Sequence, residues 1–227
     1  MTEQAAVPPE DTPAVPLPVR AQLLATEHWS LLASRSTTQS EVLTRINMFL
    51  TLVSAGLVSL ALVGQATGFS DAFILFAITV LGFVCLVGVL TQMRVINVGL
   101  EDLAYVLAMN RLRGAYVDLD PGVAPYLMTS PHDDRAGSQQ TYYFLGNRTS
   151  FSHVAGSSMI FISVVNAALG GLLVATIAGA LVAPTAIVVL AGVLYGLAYF
   201  IISAVRGRAG YLRVWGTNTP LSPTPAE

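Results

Sequence analysis

Met159–Val182 reads MIFISVVNAALGGLLVATIAGALV, twenty-four residues without a charge. A bilayer hydrocarbon core about 30 Å thick takes roughly 20 helical residues to cross, so this stretch is long and apolar enough to span. Three more uncharged runs of similar length lie around it. Thr185–Ala204 follows directly, and Ile46–Ala66 and Phe73–Leu90 come before it as a close pair. The predicted fold is therefore all-α: four transmembrane helices in two hairpins, accompanied by cytoplasmic amphipathic helices.

Composition agrees. Hydrophobic residues make up 54% of the 227-residue chain, charged residues 11%, and the mean hydropathy is +0.66. A soluble domain carries about 25% charged residues. All 11 basic residues are Arg, and they are unevenly placed. Arg20, Arg35 and Arg45 precede the first run. Arg94, Arg111, Arg113, Arg135 and Arg148 fall between the second and third, and Arg206, Arg208 and Arg213 follow the fourth. The two short connections have none. Basic residues stay on the cytoplasmic side, which places both termini and the central segment in the cytoplasm. Scattered juxtamembrane Arg fits anionic lipid headgroups better than nucleic acid.

Six segments result. Residues 1–18 form a Pro-rich tail expected to be disordered; the stretch is acidic and is not a signal peptide. Residues 19–45 form a cytoplasmic amphipathic helix. Residues 46–117 hold the first hairpin with a cytoplasmic extension of its second span. Residues 118–158 are a cytoplasmic linker, 159–205 the second hairpin, and 206–227 a cytoplasmic tail ending in a solvated Pro-rich stretch from Asn218. Leu24, Leu31 and Leu32 offer an apolar stripe to Leu100, Leu103, Leu107 and Gly114, which predicts a small helical bundle outside the membrane. The polar run Ser36–Ser40, with Thr38 and Glu41 spaced as a capping box, predicts a hinge before the first span. Glu41 and Arg45 are spaced for an i,i+4 pair. Thr141–Leu145 is expected to lie at the membrane surface, anchored by Tyr142, Tyr143 and Phe144.

Candidate chemistry is sparse. His132-Asp133-Asp134 brings an imidazole and two carboxylates together, a donor set several divalent metals accept. Adjacent residues rarely converge on one centre, so a solvated polar turn is expected, with no metal and no cofactor. Glu27-His28 lacks a nucleophile at a recognisable spacing. His28 and His153 read as packing or membrane-boundary residues. Cys85 stands alone within the second run and reads as a small packing residue. The sequon Asn147-Arg148-Thr149 falls on the cytoplasmic side and is discounted. Phosphate loops and metalloprotease motifs are absent.

The third run is more informative. Ser163, Ala167, Gly171, Ala175 and Gly179 put a small residue at every fourth position, and Gly192 and Gly196 form a GxxxG in the fourth run. Such stripes let helix backbones approach closely. Asn166 lies mid-span, where a polar residue faces other helices or a water-filled path. It is the candidate pore-lining residue. Asn47 and Gln65 lie near the ends of the first run.

The stretch Leu23-Leu24-Ala25-Thr26-Glu27-His28-Trp29-Ser30-Leu31-Leu32, together with Met109-Asn110-Arg111-Leu112-Arg113, Tyr116 and His132-Asp133-Asp134, resembles a group of uncharacterised actinobacterial four-span integral membrane proteins. The resemblance covers most of the chain outside its tails. It implies membrane location and a similar architecture, and it carries no activity or functional residue. The paired-span layout also resembles, in layout only, bacterial two-span effector domains that form pores. Three function classes follow: a non-enzymatic membrane component that binds itself or a partner, a small channel lined by the third span, and a membrane enzyme using the central loop. The first leads because the runs contain no intramembrane charge, the usual mark of transport.

Overall fold

The computed structural model describes residues 15–146, 156–181 and 183–225. Most of the N-terminal Pro-rich tail, the sequon at Asn147 and His153 lie outside the described residues. The elements are α1 (Leu17–Thr67), α2 (Asp71–Leu119), a 3-10 turn (Pro121–Tyr126), α3 (Arg135–Tyr142), α4 (Ser158–Ala180) and α5 (Thr185–Thr217). There is no strand among the described residues. Four of the helices, α1, α2, α4 and α5, are long and apolar enough to cross a membrane.

The boundaries follow local chemistry. α1 opens with Pro18 in its first turn, where a missing N–H costs nothing. It closes at Gly68, whose φ of 59° suits a residue without Cβ and whose amide bonds back to the Gly64 carbonyl. α2 ends just ahead of Pro121, which cannot continue it. The Ser157 hydroxyl caps α4 through the Ile160 amide.

The hinge expected at Ser36–Ser40 does not form: α1 runs unbroken for 51 residues. Two things keep the polar stretch helical. The Thr37 and Thr44 hydroxyls bond carbonyls four residues back, at 3.0 and 2.9 Å. The neighbouring helix supplies the rest, because Gln39 donates to Asp102 at 2.7 Å and Glu41 accepts from Arg94 at 2.9 Å. Glu41 is thus a mid-helix ion-pair residue, and the Thr38–Glu41 capping box caps nothing. Its i,i+4 pair with Arg45 is present at 3.8 Å.

The covered residues of α1 recur at alternating steps of four and three: Leu24, His28, Leu31, Arg35, Thr38, Val42, then Phe49, Val53, Gly56, Leu60 and Val63. This is the spacing of a helix seam held against one partner along its length. That partner is α2. Its buried Leu81, Val84, Val95 and Val98 join Val42, Ile46 and Phe49 of α1 in the main core cluster, where Ile162 and Leu169 of α4 meet them. Cys85 is partly buried against the same cluster.

The principal contacts are α1 with α2, α2 with α4, and α4 with α5. The four long helices therefore stand as a row, with α1 and α5 at its edges. At Gly88 of α2 three helices converge. A Cβ there would collide with the Asn166 side chain of α4 and approach the Phe49 ring of α1 to 2.9 Å.

The α4–α5 contact is made backbone to backbone. A Cβ at Gly171 would lie 2.7 Å from the Gly192 carbonyl oxygen. One at Gly192 would lie 2.8 Å from the Gly171 carbonyl oxygen and 3.2 Å from the Ala175 methyl. Gly196 faces the Ala167 carbonyl in the same way, at 3.1 Å. Gly179 meets nothing within 4 Å and lies beyond this crossing.

Gly192→Ile should therefore force the two backbones apart, at a cost of about 1–3 kcal/mol or more, whereas Gly179→Ile should be tolerated. Thermal unfolding in detergent, followed by circular dichroism, is the check. Equal melting of the two variants would remove the crossing as a source of stability.

Candidate functional site

Beyond the apolar runs, the far end of α1, the far half of α2, the 120–146 segment and the residues after α5 gather into one head. Its centre is Asp133, 0% exposed although it carries a carboxylate. Burying a charge is costly unless donors surround it. Here they do. The amides of Leu221 and Ser222 donate to the carboxylate at 3.0 and 2.8 Å, and Arg111 of α2 pairs with it. The Asp133 backbone joins in: its amide donates to the Ser222 carbonyl, and its carbonyl accepts from the Asn218 side chain at 3.0 Å. Asp134 accepts from the Thr224 amide at 2.7 Å and its hydroxyl at 2.9 Å, while capping α3 through the Gly137 amide.

Two expectations are corrected together. His132-Asp133-Asp134 is not a solvated turn, and the stretch from Asn218 is not a solvated tail. Each supplies the other's partners, so Asn218–Thr224 lies clasped against the loop. Prolines 220, 223 and 225 hold the tail extended, which leaves the amides between them free to point at the loop. The residues after α5 are also fewer than expected, because α5 itself continues to Thr217.

Asn110 of α2, 0% exposed, supports the loop from beneath. It donates to the His132 carbonyl at 2.8 Å and accepts from the Thr141 hydroxyl at 3.0 Å and from Arg113 at 2.7 Å. Gly114, expected to face α1, instead lies under this loop and tail: a Cβ there would approach the Pro131 carbonyl at 3.0 Å and the Ser222 side chain. His132 contributes its backbone, donating its amide to the Ser130 hydroxyl at 3.1 Å.

A second node joins α1, α2 and α3 at Asp102. It accepts from Arg35 at 2.6 Å, Gln39 at 2.7 Å and the Tyr142 hydroxyl at 2.8 Å. Tyr142 is therefore a head residue held by a carboxylate, not a membrane-surface anchor, and Thr141 beside it is buried. Nearby, His28 stacks on Tyr116, whose hydroxyl donates to the Leu24 carbonyl at 3.1 Å.

The electrostatics match these bonds. Burial works to raise the Asp133 pKa, but the Leu221 and Ser222 amides and Arg111 outweigh it and hold the group below the usual carboxylate range. Asp134 is lowered against the same penalty by the Gly137 and Thr224 donors, and Asp102 by Arg35, Tyr142 and Gln39. Burial and then the Arg113 charge lower His28, favouring its neutral ring. These carboxylates are anions saturated with donors, and such groups are poor proton acceptors. Among the described residues no group of three His, Cys, Asp or Glu side chains could hold a metal ion.

A third polar cluster sits where the apolar runs meet the head. Gln92 of α2, 4% exposed, donates to the Ser163 hydroxyl at 2.9 Å. Its carbonyl oxygen accepts from Asn166 at 2.8 Å and from the Tyr199 hydroxyl at 2.6 Å. Asn166 also donates to the Gly88 carbonyl at 2.9 Å. The candidate pore residue, 3% exposed, is thus held between α2 and α4 by direct hydrogen bonds. The sequence alone assigns no bonding role to Gln92, Tyr199, Asn110 or Asp102. Gln92 falls two positions beyond the second apolar run, where a polar residue attracts no notice. The three others sit on helix stretches whose partners are distant in sequence.

No protein-family model, curated protein or solved structure matches the chain.

Asp133→Asn should free the tail, because Arg111 and the Leu221 and Ser222 amides lose the carboxylate charge they share; hydrogen bonds to a charged group are worth about 1.5–3 kcal/mol each. Hydrogen exchange at Leu221, Ser222 and Thr224 should speed up, with little change in the spans. Acid should act similarly. A carboxylate whose folded pKa is depressed contributes stability above its unfolded value of about 3.9 and loses it as pH falls through the folded value. Tail protection should therefore be constant from neutrality to about pH 4 and fall below it. Release in the range where His titrates would assign the clasp to another group.

Proposed function

We propose that this chain is a non-enzymatic membrane component that associates with itself, and that the outer side of the first span is the contact. The observation that carries this reading is the composition of the two edges of the row. The side of α1 turned away from α2 carries Asn47, Thr51, Ser54, Ala55 and Ser59, all exposed. The hydroxyls of Thr51, Ser54 and Ser59 bond their own helix four residues back, at 2.8–2.9 Å. Met48, Val58 and Leu62 are exposed on the same side, so the face mixes apolar residues with self-bonded hydroxyls, and Thr51, Ser54 and Ala55 are the small positions that let a second helix backbone come close. The outer side of α5 is the opposite. Leu190, Val193, Leu194, Leu197 and Ile201 expose 52–58% of their surface, a bulky aliphatic face suited to lipid chains.

The non-enzymatic reading is supported by the carboxylates of the head. Asp102, Asp133 and Asp134 are each tied into structural bonds that would have to break before any acted as a base. The orientation proposed is a bacterial inner membrane with both termini and the head in the cytoplasm. Arg placement supports it, as does the gathering of the α1 arm, the central loop and the C-terminal tail at one end of the row.

In a Cys85→Ala background, Ala55→Cys should give a disulfide-linked dimer on mild oxidation in membranes, and Leu194→Cys should not. Cross-linking at both positions alike, or at neither, would remove the α1 contact.

Orientation has its own check in the same background. An impermeant thiol reagent on intact cells should label Thr67→Cys and spare Ala136→Cys. The reverse pattern would invert the topology without touching the cross-linking result.

A further inference from the structure

A cleft of about 510 Å³ opens between α2 and α5, with no residue of α1 among those that line it. Its walls are Val89, Met93 and Ile96 of α2 and Ile202 of α5. Its floor is polar, made by Gln92 and Tyr199, which bond to each other at 2.6 Å. Arg206 stands at its mouth.

Depth along the helices fixes what can enter. α2 and α5 run in the same direction through the row, so Val89 and Tyr195 lie at one level and Ile96 and Arg206 at another, nearer the head. The apolar runs stop at Leu90 and Ala204. The cleft therefore begins among acyl chains and ends where headgroups lie. Charge is equally one-sided. Arg206 is the only Arg, Lys, Asp or Glu among the residues lining it, and no ion pair among the described residues holds it, whereas Arg35, Arg94 and Arg111 are all paired to carboxylates. A guanidinium is a planar fork of donors matched to phosphate oxygens.

We infer that this cleft is a binding site for one anionic phospholipid, with an acyl chain along the Val89–Met93–Ile96 wall and the headgroup phosphate on Arg206. The lipid bridges α2 and α5, which touch each other far less than each touches α4. It fills the gap that the Gly171–Gly192 crossing leaves by drawing α5 toward α4. The site is independent of the α1 self-contact, since no residue of α1 lines it.

The experiment is native mass spectrometry of the full chain, released from nanodiscs of phosphatidylcholine doped with phosphatidylglycerol. The expected result is one retained phosphatidylglycerol per chain, reduced about tenfold by Arg206→Gln, a loss of about 1.4 kcal/mol. Arg135→Gln, an exposed change at the start of α3 and not among the residues lining the cleft, should leave retention intact. Ala198→Trp, which fills the cleft from its exposed wall, should abolish retention while Arg206 stays in place. Three outcomes would overturn the site. Equal losses for Arg206→Gln and Arg135→Gln would mean general charge attraction. Full retention in Ala198→Trp would place the lipid elsewhere. Displacement by millimolar inorganic phosphate would mean a phosphate site without a lipid. Circular dichroism melting of each variant separates loss of the site from loss of the fold.

Discussion

The meeting of three helices at Gly88 is the constraint on which the spanning region depends. A hydrocarbon environment offers no water to a polar group, so every amide there needs a protein partner. Asn166 finds one in the Gly88 carbonyl, which is within reach because position 88 has no side chain. The same gap admits the Phe49 ring from the other side. One missing Cβ thus joins α1 to α2 by packing and α4 to α2 by hydrogen bonding. The second amide, Gln92, extends the contact to Tyr199 and brings α5 into the same polar cluster. Each such interhelical bond is worth only about 0.6–2 kcal/mol. Their value is in register, since a shift of α4 by one residue would strand both amides.

The head solves a different problem. The charges at its centre, Asp102, Asp133, Asp134, Arg35 and Arg111, are each bonded to a distant part of the chain. Asp133 could not be buried against Arg111 alone, and the extended tail supplies further donors as backbone amides. The tail in turn has no regular structure to satisfy its own N–H groups, and the loop carboxylates take that role. The two irregular segments are stable because they are read against each other. Because Asn218 directly follows α5 and Arg111 belongs to α2, the clasp also ties the last helix of the row to the second one outside the membrane.

How much of this was legible in the sequence depended on how local the signal was. Length and lack of charge identified the four long helices, and Pro18, Pro121 and Pro184 marked three of their boundaries. The small residues at 171, 175, 192 and 196 were visible as a pattern, and the crossing uses them. Whatever depended on distant partners was misread. Ser36–Ser40 looks like a break when viewed alone and becomes a lateral contact once Asp102 and Arg94 are beside it. Asp133 looks like a solvated turn residue, because nothing near it in sequence suggests that Leu221 and Ser222 will cover it. Tyr142 carries an aromatic, interfacial signal and is claimed by a carboxylate forty residues earlier.

An unbroken α1 has a mechanical meaning. At 1.5 Å per residue, residues 17–45 extend about 40 Å beyond the first apolar run. With no hinge at the boundary, the arm and the span tilt as one rigid lever. A change of about 10° in the span would carry the far tip sideways by about 7 Å over that length. The Arg35–Asp102 and Glu41–Arg94 pairs fasten α2 to the lever at two heights, so the head would swing with it rather than shear. Bilayer thickness or a neighbouring helix that alters tilt in the membrane would thus be transmitted as displacement at Trp29 and the N-terminal end.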